Sequence, residues 1–401
     1  MSDGYPLRPL GEVMRLDIQR TPMMPATTYR LAGVLNAGQG LVAKGEFDGG
    51  DTEYAAMNVL RADQVVMRKL TAWEGPITVV PAEFDGFVVS NEFPTFTLGP
   101  ELVPDWMRHV CRSPRLWAEM KNRVSGTVQR RKRLSPEQLL QIQLPIPPRE
   151  VQAGIVEMLD AVDDQITALD FEVDVAQKLL NMVLVEHFLA VEGEPHRIVD
   201  LCSHVVGGVW GKPPGEDEVN RLALGPRIYA PGTSDFVTDG SPVRSFMLKQ
   251  ADTRTVQEQD IILERSGGSP EQPVGRAAIA GPGLDPCVPT DFQRLMRVDS
   301  KKALPTYVFW RLRHDWASGL TRNYSRRTTG ITNLSVKEYI AREIPVPSVE
   351  EQARLVESAE AVDVLIVGLR AEAARLRELR AGLLSGLLDR TIDIESAESK
   401  V

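Results

Sequence analysis

At 401 residues, 43% hydrophobic and 25% charged, the chain is too long for one ordinary domain and too apolar to stay disordered. A formal net charge of −9 argues against a uniformly basic nucleic-acid binder, and no apolar run reaches the roughly eighteen residues that cross a bilayer. The start, Met1-Ser2-Asp3-Gly4-Tyr5, has no basic segment ahead of an apolar one, so the expectation is a cytoplasmic protein with no membrane partner. Cys111, Cys202 and Cys287 are far apart and odd in number; they build neither a disulfide framework nor a CxxC metal pair and read as buried, reduced thiols.

Charge is unevenly spread along the chain. Residues 1–149 carry +2, 150–195 carry −10, 196–349 carry +3 and 350–401 carry −4. In the first block, short β-branched runs such as Ile77 to Val80 and Phe87 to Ser90, separated by Gly, Pro and Asp, predict strands. Pro104 to Arg123 predicts helix, with Trp106 and Trp117. A Pro145-Ile146-Pro147 step then gives way to the 4,3 apolar spacing of a heptad, Ile155, Leu159, Val162, Ile166, Leu169, Val173, Ala176, Leu180 and Val183. The second block has helical character from Pro305 to Asn323, with Trp310 and Trp316. It is followed by Pro345-Val346-Pro347 and a second heptad seam, Leu355, Ala359, Val362, Ile366, Leu369, Ala373, Leu376, Arg380 and Leu383, in which Arg380 alone is polar.

This order is an internal repeat with a period of 200 residues. Leu134-Ser135 recurs as Leu334-Ser335, Glu150 and Gln152 as Glu350 and Gln352, and Ala161-Val162-Asp163 as Ala361-Val362-Asp363; twelve of the thirty positions from 134 to 163 are identical without a gap. Each heptad stretch predicts a helix of roughly forty residues, about 60 Å long. Two stripes of equal length and register bury each other most simply as an antiparallel pair, with Leu159, Val162, Ile166 and Leu169 against Val362, Ile366, Leu369 and Leu376. The blocks before the helices are more weakly related: Asp63-Gln64-Val65-Val66-Met67-Arg68 parallels Asp260-Ile261-Ile262-Leu263-Glu264-Arg265, and Glu92-Phe93 parallels Asp291-Phe292. The expected fold is α+β, two small domains joined by two long antiparallel coiled-coil helices with a pseudo-twofold repeat. Its expected divisions are residues 1–149, a helix over 150–192, 193–349, a helix over 350–389, and a tail over 390–401.

Catalytic signatures are absent. Gly207-Gly208-Val209-Trp210-Gly211-Lys212 is one residue too short for a phosphate-binding loop and is followed by Pro213 where a Mg²⁺-binding hydroxyl belongs. His109, His187, His196, His204 and His314 form no metal-binding pair and read as structural. Asp105, Glu119 and Lys121 formally fit the carboxylate and lysine pattern of a Mg²⁺-dependent nuclease, but the second copy has Thr306 and Gly319 in place of the acids.

Positive charge is concentrated instead. From Arg108 to Arg133 nine basic side chains (Arg108, Arg112, Arg115, Lys121, Arg123, Arg130, Arg131, Lys132, Arg133) face the single acid Glu119, and the second copy repeats the placement with Arg311, Arg313, Arg322, Arg326 and Arg327 against Asp315. Recurrence in two diverged copies points to phosphate binding. Candidate DNA contacts are Arg68, Lys69, Arg130, Arg131, Lys132 and Arg133 in the first block. In the second they are Arg265 and Ser266 of a Gly-rich turn, with Arg322, Arg326, Arg327 and Thr328.

Leu144-Pro145-Ile146-Pro147-Pro148 with Gln152, repeated as Ile344-Pro345-Val346-Pro347 with Glu351-Gln352, each leading into a long helix, resembles the DNA-specificity subunits of type I restriction-modification systems over nearly the whole chain. Asp260-Ile261-Ile262-Leu263 stands where that family has a Gly-Asp-Ile-like opening; Ser348 replaces the second proline and Val151 a common acid. The resemblance implies two target-recognition domains, each reading one half of a bipartite, asymmetric sequence in double-stranded DNA, with the paired helices as a ruler. It also implies a non-catalytic chain without cofactor or metal. S-adenosylmethionine, ATP and Mg²⁺ would belong to partners: two methyltransferase subunits, with room for restriction and translocase subunits. The acidic helices are the expected docking place of the methyltransferase subunits. Rival readings are a coiled-coil adaptor that does not touch DNA, and the nuclease.

Overall fold

A computed structural model describes residues 5–125, 132–229, 236–268, 272–328 and 331–392. The chain forms two units, Met1–Ala168 with Ala373–Val401, and Leu169–Glu372. The first opens with β1 (Leu7–Pro9), the one-turn α1 (Leu10–Val13), β2 (Met14–Leu16) and β3 (Gln19–Pro22). β4 (Thr28–Val34), β5 (Leu41–Asp48), β6 (Ala56–Val59), β7 (Val65–Met67), β8 (Ile77–Val79), β9 (Val88–Val89) and β10 (Thr95–Leu98) follow. Then come α2 (Pro104–Cys111), α3 (Pro114–Arg123), α4 (Pro136–Leu140), β11 (Gln143–Pro145) and the long α5 (Arg149–Ala190).

In the second unit come β12 (Glu194–Arg197), β13 (Cys202–Gly207), β14 (Val219–Leu224), β15 (Val243–Phe246) and α6 (Leu248–Asp252). They are followed by β16 (Ile261–Glu264), β17 (Ser266–Gly268), β18 (Ala277–Ile279), β19 (Cys287–Pro289) and β20 (Gln293–Val298). α7 (Pro305–Ala317), β21 (Ser325–Thr328), β22 (Ile331–Leu334), α8 (Val336–Ile340), β23 (Glu343–Val346) and the long α9 (Val349–Leu388) complete the order.

One frame is built twice. The antiparallel sheets β2-β10-β7-β8 and β13-β20-β16-β18 share a strand order, as do the pairs β1-β11 and β12-β23. Different inserts hang from the frames: β3-β6-β9-β4-β5 in the first unit, and β15-β14-β19 with a parallel β14–β19 pair in the second. The frame strands alternate faces as a pleated strand must. Val65 and Met67 enter the core that holds the helices, while Val66 enters the insert core; Ile261, Leu263 and Ile262 do the same.

This alternation corrects the sequence alignment of the blocks by one residue. Phe96 pairs with Val65 and Met296 with Ile261, so Val65 answers to Ile261 and Lys69 to Arg265. A one-residue slip would turn every core side chain outward. By the same register Glu92, whose carbonyl accepts from Lys69 N–H at 2.9 Å, answers to Phe292, whose carbonyl accepts from Arg265 N–H at 2.7 Å.

Within each unit the start of one long helix lies against the end of the other. Ile155 and Leu159 share a core with Leu384, Leu387 and Leu388; Leu180, Leu184 and Phe188 share one with Leu355, Ala359 and Ile366. Val362 and Leu369 pack on the second core, Ile166 and Leu169 are buried, and Val162 and Leu376 are half-buried.

The Pro-x-Pro and glutamine signature is explained by what the glutamine holds. The Gln152 side-chain carbonyl accepts from Val103 N–H (2.8 Å), and its amide donates to the carbonyls of Pro147 (2.8 Å) and Glu101 (2.9 Å). Gln352 accepts from Leu304 N–H (2.8 Å) and donates to the Pro347 carbonyl (2.9 Å). Val103 and Leu304 are the residues just ahead of Pro104 and Pro305, which start α2 and α7 with a proline in the first turn. Each glutamine therefore ties a long helix to the helix of its own frame. Ser348, in place of a second proline, caps α9: Glu351 N–H donates to its hydroxyl (3.3 Å) and Glu351 accepts from Ser348 N–H (3.2 Å). Replacing Gln352 by leucine strands the Leu304 N–H and the Pro347 carbonyl in a buried site, and thermal denaturation should show a loss of about 2–4 kcal/mol. A melt unchanged from wild type would refute the clamp.

Candidate nucleic-acid interface

The basic residues divide into two populations that a charge count cannot separate. Four arginines on or just after α2 and α3 meet carboxylates of the scaffold. Arg108 meets Asp160 (3.1 Å), Arg112 meets Asp163 (2.7 Å), Arg115 pairs with Asp389 and Arg123 with Glu119. In the second unit Arg311 meets Asp315 and Arg313 meets Asp363, both at 3.1 Å, and Arg342 pairs with Asp315. The expectation of one continuous phosphate-binding cluster from residue 108 is corrected here. Of its nine members, Arg108 and Arg112 neutralise carboxylates of α5, while Arg115 and Arg123 are paired with Asp389 and Glu119.

The second population sits on a three-segment β arrangement at the same place in each frame. In the second unit this is the sheet β17-β22-β21, where Ser266 and Arg326 both pair with Asn333, and Gly268 and Arg327 with Thr332. Leu334 N–H donates to the Arg265 carbonyl at 2.7 Å. In the first unit Arg133 bridges to Leu70 on one side and Ser125 on the other, and Leu134 N–H donates to the Lys69 carbonyl at 3.1 Å. The fold thus brings Lys69, Lys132 and Arg133 together, and separately Arg265, Ser266, Arg326 and Arg327. The backbone of Thr328 ends β21, and the exposed Arg322 lies in the 3₁₀ turn just before it. Arg130 and Arg131 lie outside the described residues.

Individual roles differ. Arg327 is exposed, and Arg326 makes an exposed pair with Glu338 (2.8 Å), of a kind worth little in water and easily opened. Arg133 stands 3.2 Å from Glu92. Ser266 is buried at the foot of β17. Arg68 donates to the Leu70 carbonyl (3.0 Å), Asn36 (2.8 Å), Thr71 (2.7 Å) and Glu74 (3.2 Å), and its counterpart in the other frame is the buried acid Glu264, paired with Arg276 at 2.6 Å. Both hold the base of the arrangement.

Sequence reading missed the network around Arg380, although a lone arginine in an apolar seam was its signal. Arg380 is 7% exposed and donates to Asp163 (2.5 and 3.0 Å) and to His109 Nδ1 (2.8 Å). Because a guanidinium only donates, Nδ1 carries no proton and His109 is neutral with its proton on Nε2, 3.0 Å from Asp160 but off line for a good hydrogen bond. Burial first, then the charges of Arg380 and Arg108, lower the His109 pKa to about 4 against the pull of Asp160 and Asp163. Burial opposes ionisation of Asp163 too, yet Arg380 and Arg112 hold its carboxyl below the usual range. Among the described residues His109, Asp160 and Asp163 are the group close enough to hold a metal ion, and each already accepts a hydrogen bond from an arginine. Asp105 and Glu119 are outside that group, and each meets an arginine, Arg108 and Arg123. Cys111 and Cys287 are buried and Cys202 partly so; burial pushes the Cys202 and Cys287 thiols up to about 12. Among the described residues no helix is long and apolar enough to cross a membrane.

Solved structures match over nearly the whole chain. One comes from work on the structural basis underlying complex assembly and conformational transition of the type I R-M system; it is 19% identical, with 96% of this chain and 97% of that one covered and a TM-score of 0.60. Another is the crystal structure of a type I restriction-modification system S subunit from M. genitalium, 14% identical, with 96% of each chain covered and a TM-score of 0.55. No family model and no curated protein matches the sequence. The fold is that of type I restriction-modification S subunits.

The His109 network has a signed pH signature. A base whose pKa is depressed in the fold from about 6.5 takes its proton first in the unfolded chain, so its share of stability is intact above pH 6.5 and falls away as the pH drops toward 4. Asp163 loses its share only below the ordinary carboxylate range. Melting temperatures measured from pH 7.5 to 4 should fall less steeply in His109→Gln than in wild type, by the equivalent of about 2–3 kcal/mol over the window. His187 and His314, also lowered by burial, keep part of the slope in the variant. Parallel curves would refute the assignment.

Proposed function

We propose that this chain is the DNA-specificity subunit of a type I restriction-modification complex and catalyses nothing itself. The observation that carries the reading is the basic three-segment β arrangement, which recurs at the same position on both copies of a duplicated frame. In this role residues 1–149 and 193–349 are target-recognition domains, each reading one half of a bipartite target in double-stranded DNA. Lys69, Lys132, Arg133, Arg130 and Arg131 contact phosphates in one, and Arg265, Arg322, Arg326 and Arg327 in the other. Arg68 and Ser266 act as supports, given their engaged or buried side chains.

The long helices are the ruler. A straight helix of 42 residues spans about 60 Å, nearly two turns of DNA at about 34 Å each, a length on the scale of the spacer in a bipartite site. Methyltransferase subunits, which would bring S-adenosylmethionine, dock on the outer helix faces; ATP and Mg²⁺ belong to any translocase that joins. On α5 the face opposite the seam exposes Phe171, Val175, Met182 and Leu189, flanked by Glu172, Asp174 and Glu186. An apolar stripe with an acidic rim suits a partner helix with a basic rim and is repelled by DNA.

Two measurements test this. Alanine at both Arg326 and Arg327 should weaken binding of the reconstituted complex to all duplexes and lower the dependence of log affinity on log salt by about one to two units. Unchanged binding would sink the phosphate assignment. Methylome sequencing with and without the gene should show a bipartite adenine motif vanish. Inserting one heptad, about 10 Å, into both helices should change the tolerated spacer and leave the half-sites alone. An unaltered methylome in the deletion points to the adaptor reading instead.

A further inference from the structure

The stretch that fails as a nucleotide-binding loop has another use. A Cβ on Gly208 would lie 1.9 Å from the Thr290 carbonyl oxygen, and Gly211, at φ +74°, would drive a Cβ to 2.6 Å from the Phe246 ring. The backbone is pinned as well: Gly208 N–H donates to the Gln293 carbonyl (3.2 Å), Val209 N–H to that of Pro289 (2.9 Å) and Lys212 N–H to that of Ser245 (2.9 Å). On this fixed loop Trp210 remains 46% exposed, whereas Trp106 and Trp310 are buried.

The indole stands edge-on to Phe292, 6.2 Å between centroids, and the Arg244 guanidinium lies 5.3 Å from its ring. The Phe292 carbonyl accepts from Arg265 N–H (2.7 Å) and Ser266 N–H (3.1 Å), so the platform shares its backbone with the foot of the basic β17 arrangement. Two residues on, Arg294 lies against Gly207, where a Cβ would come within 3.3 Å of its guanidinium. Among the described residues Arg265 and Arg294 donate from their side chains to the carbonyls of Asp291 (3.4 Å) and Gln293 (2.9 Å), and neither forms an ion pair. Burial and the like charge of Arg265 lower the pKa of Arg294 against the pull of Asp291.

An indole held rigid and half exposed, beside cations that repel one another, leaves apolar surface in water and positive charge with no carboxylate partner among the described residues. Duplex DNA offers what each lacks: phosphates for the guanidiniums, and base edges with thymine methyls for the ring. In the first unit Glu92 takes the place of Phe292 and meets Arg133, so the platform belongs to the second unit.

We propose that Trp210, supported by Phe292 and Arg244, contacts base edges of the half-site read by the second unit, while Arg265 and Arg294 take the adjoining phosphates. This rests on the DNA-recognition reading above. The test titrates the complex reconstituted with methyltransferase subunits onto its methylome-derived duplex and onto an unrelated duplex, at several salt concentrations. Trp210→Ala should bind the cognate duplex about tenfold more weakly, with the salt slope unchanged and little effect on the unrelated duplex; Trp210→Phe should recover most of the loss. Arg265→Ala and Arg294→Ala should weaken both duplexes and lower the slope by about one each. Undiminished cognate binding by Trp210→Ala overturns the proposal, as does a Trp210→Ala chain that binds DNA normally but assembles poorly with its partners. A wild-type complex that binds neither duplex overturns the DNA-recognition reading itself.

Discussion

One buried amide in each unit sets the direction of a long helix relative to its frame. Gln152 and Gln352 each bind the N–H just ahead of a frame helix and the carbonyl that closes the Pro-x-Pro step. A side-chain amide both donates and accepts, so one residue satisfies groups on two elements at once, and an aliphatic or acidic side chain of similar size would leave one of them bare. A ruler measures only if its ends are rigidly joined to what they position. In the proposed role these two amides are the joints.

The same economy governs the arginines. α5 is acidic, and Asp160 and Asp163 face Arg108 of α2 and Arg112 just after it, so the charge of the helix and that of the frame cancel where they meet. What remains for a ligand is the exposed remainder on the β arrangement and around Trp210. The net charge of −9 describes neither population.

Much of the frame was legible because the repeat has no gap from 134 to 163, and the helices followed from their heptads. Strand register was not, since Val65, Val66 and Met67 are all apolar and only the sheet shows which faces which core. The arginines of α2 could not be sorted from those of the interface without seeing which carboxylates oppose them. Arg380 was visible as an oddity, but its partner Asp163 is 217 positions away. The inserts were opaque for a similar reason, because beyond the neighbours β4–β5 and β14–β15 their sheets join strands that are distant in sequence.

Each frame core is separate from the cores of its insert. Leu10, Phe96, Trp106 and Leu159 belong to one and Val34, Leu60 and Phe87 to another; the second unit divides Tyr307 and Trp310 from Ile228 and Cys287. Packing changes in cores that share few side chains act almost independently on stability. Mutation can therefore wander through one insert while the frame and the opposite half stay intact. If the chain serves in the proposed role, a lineage carrying it could revise half of its molecular address at a time.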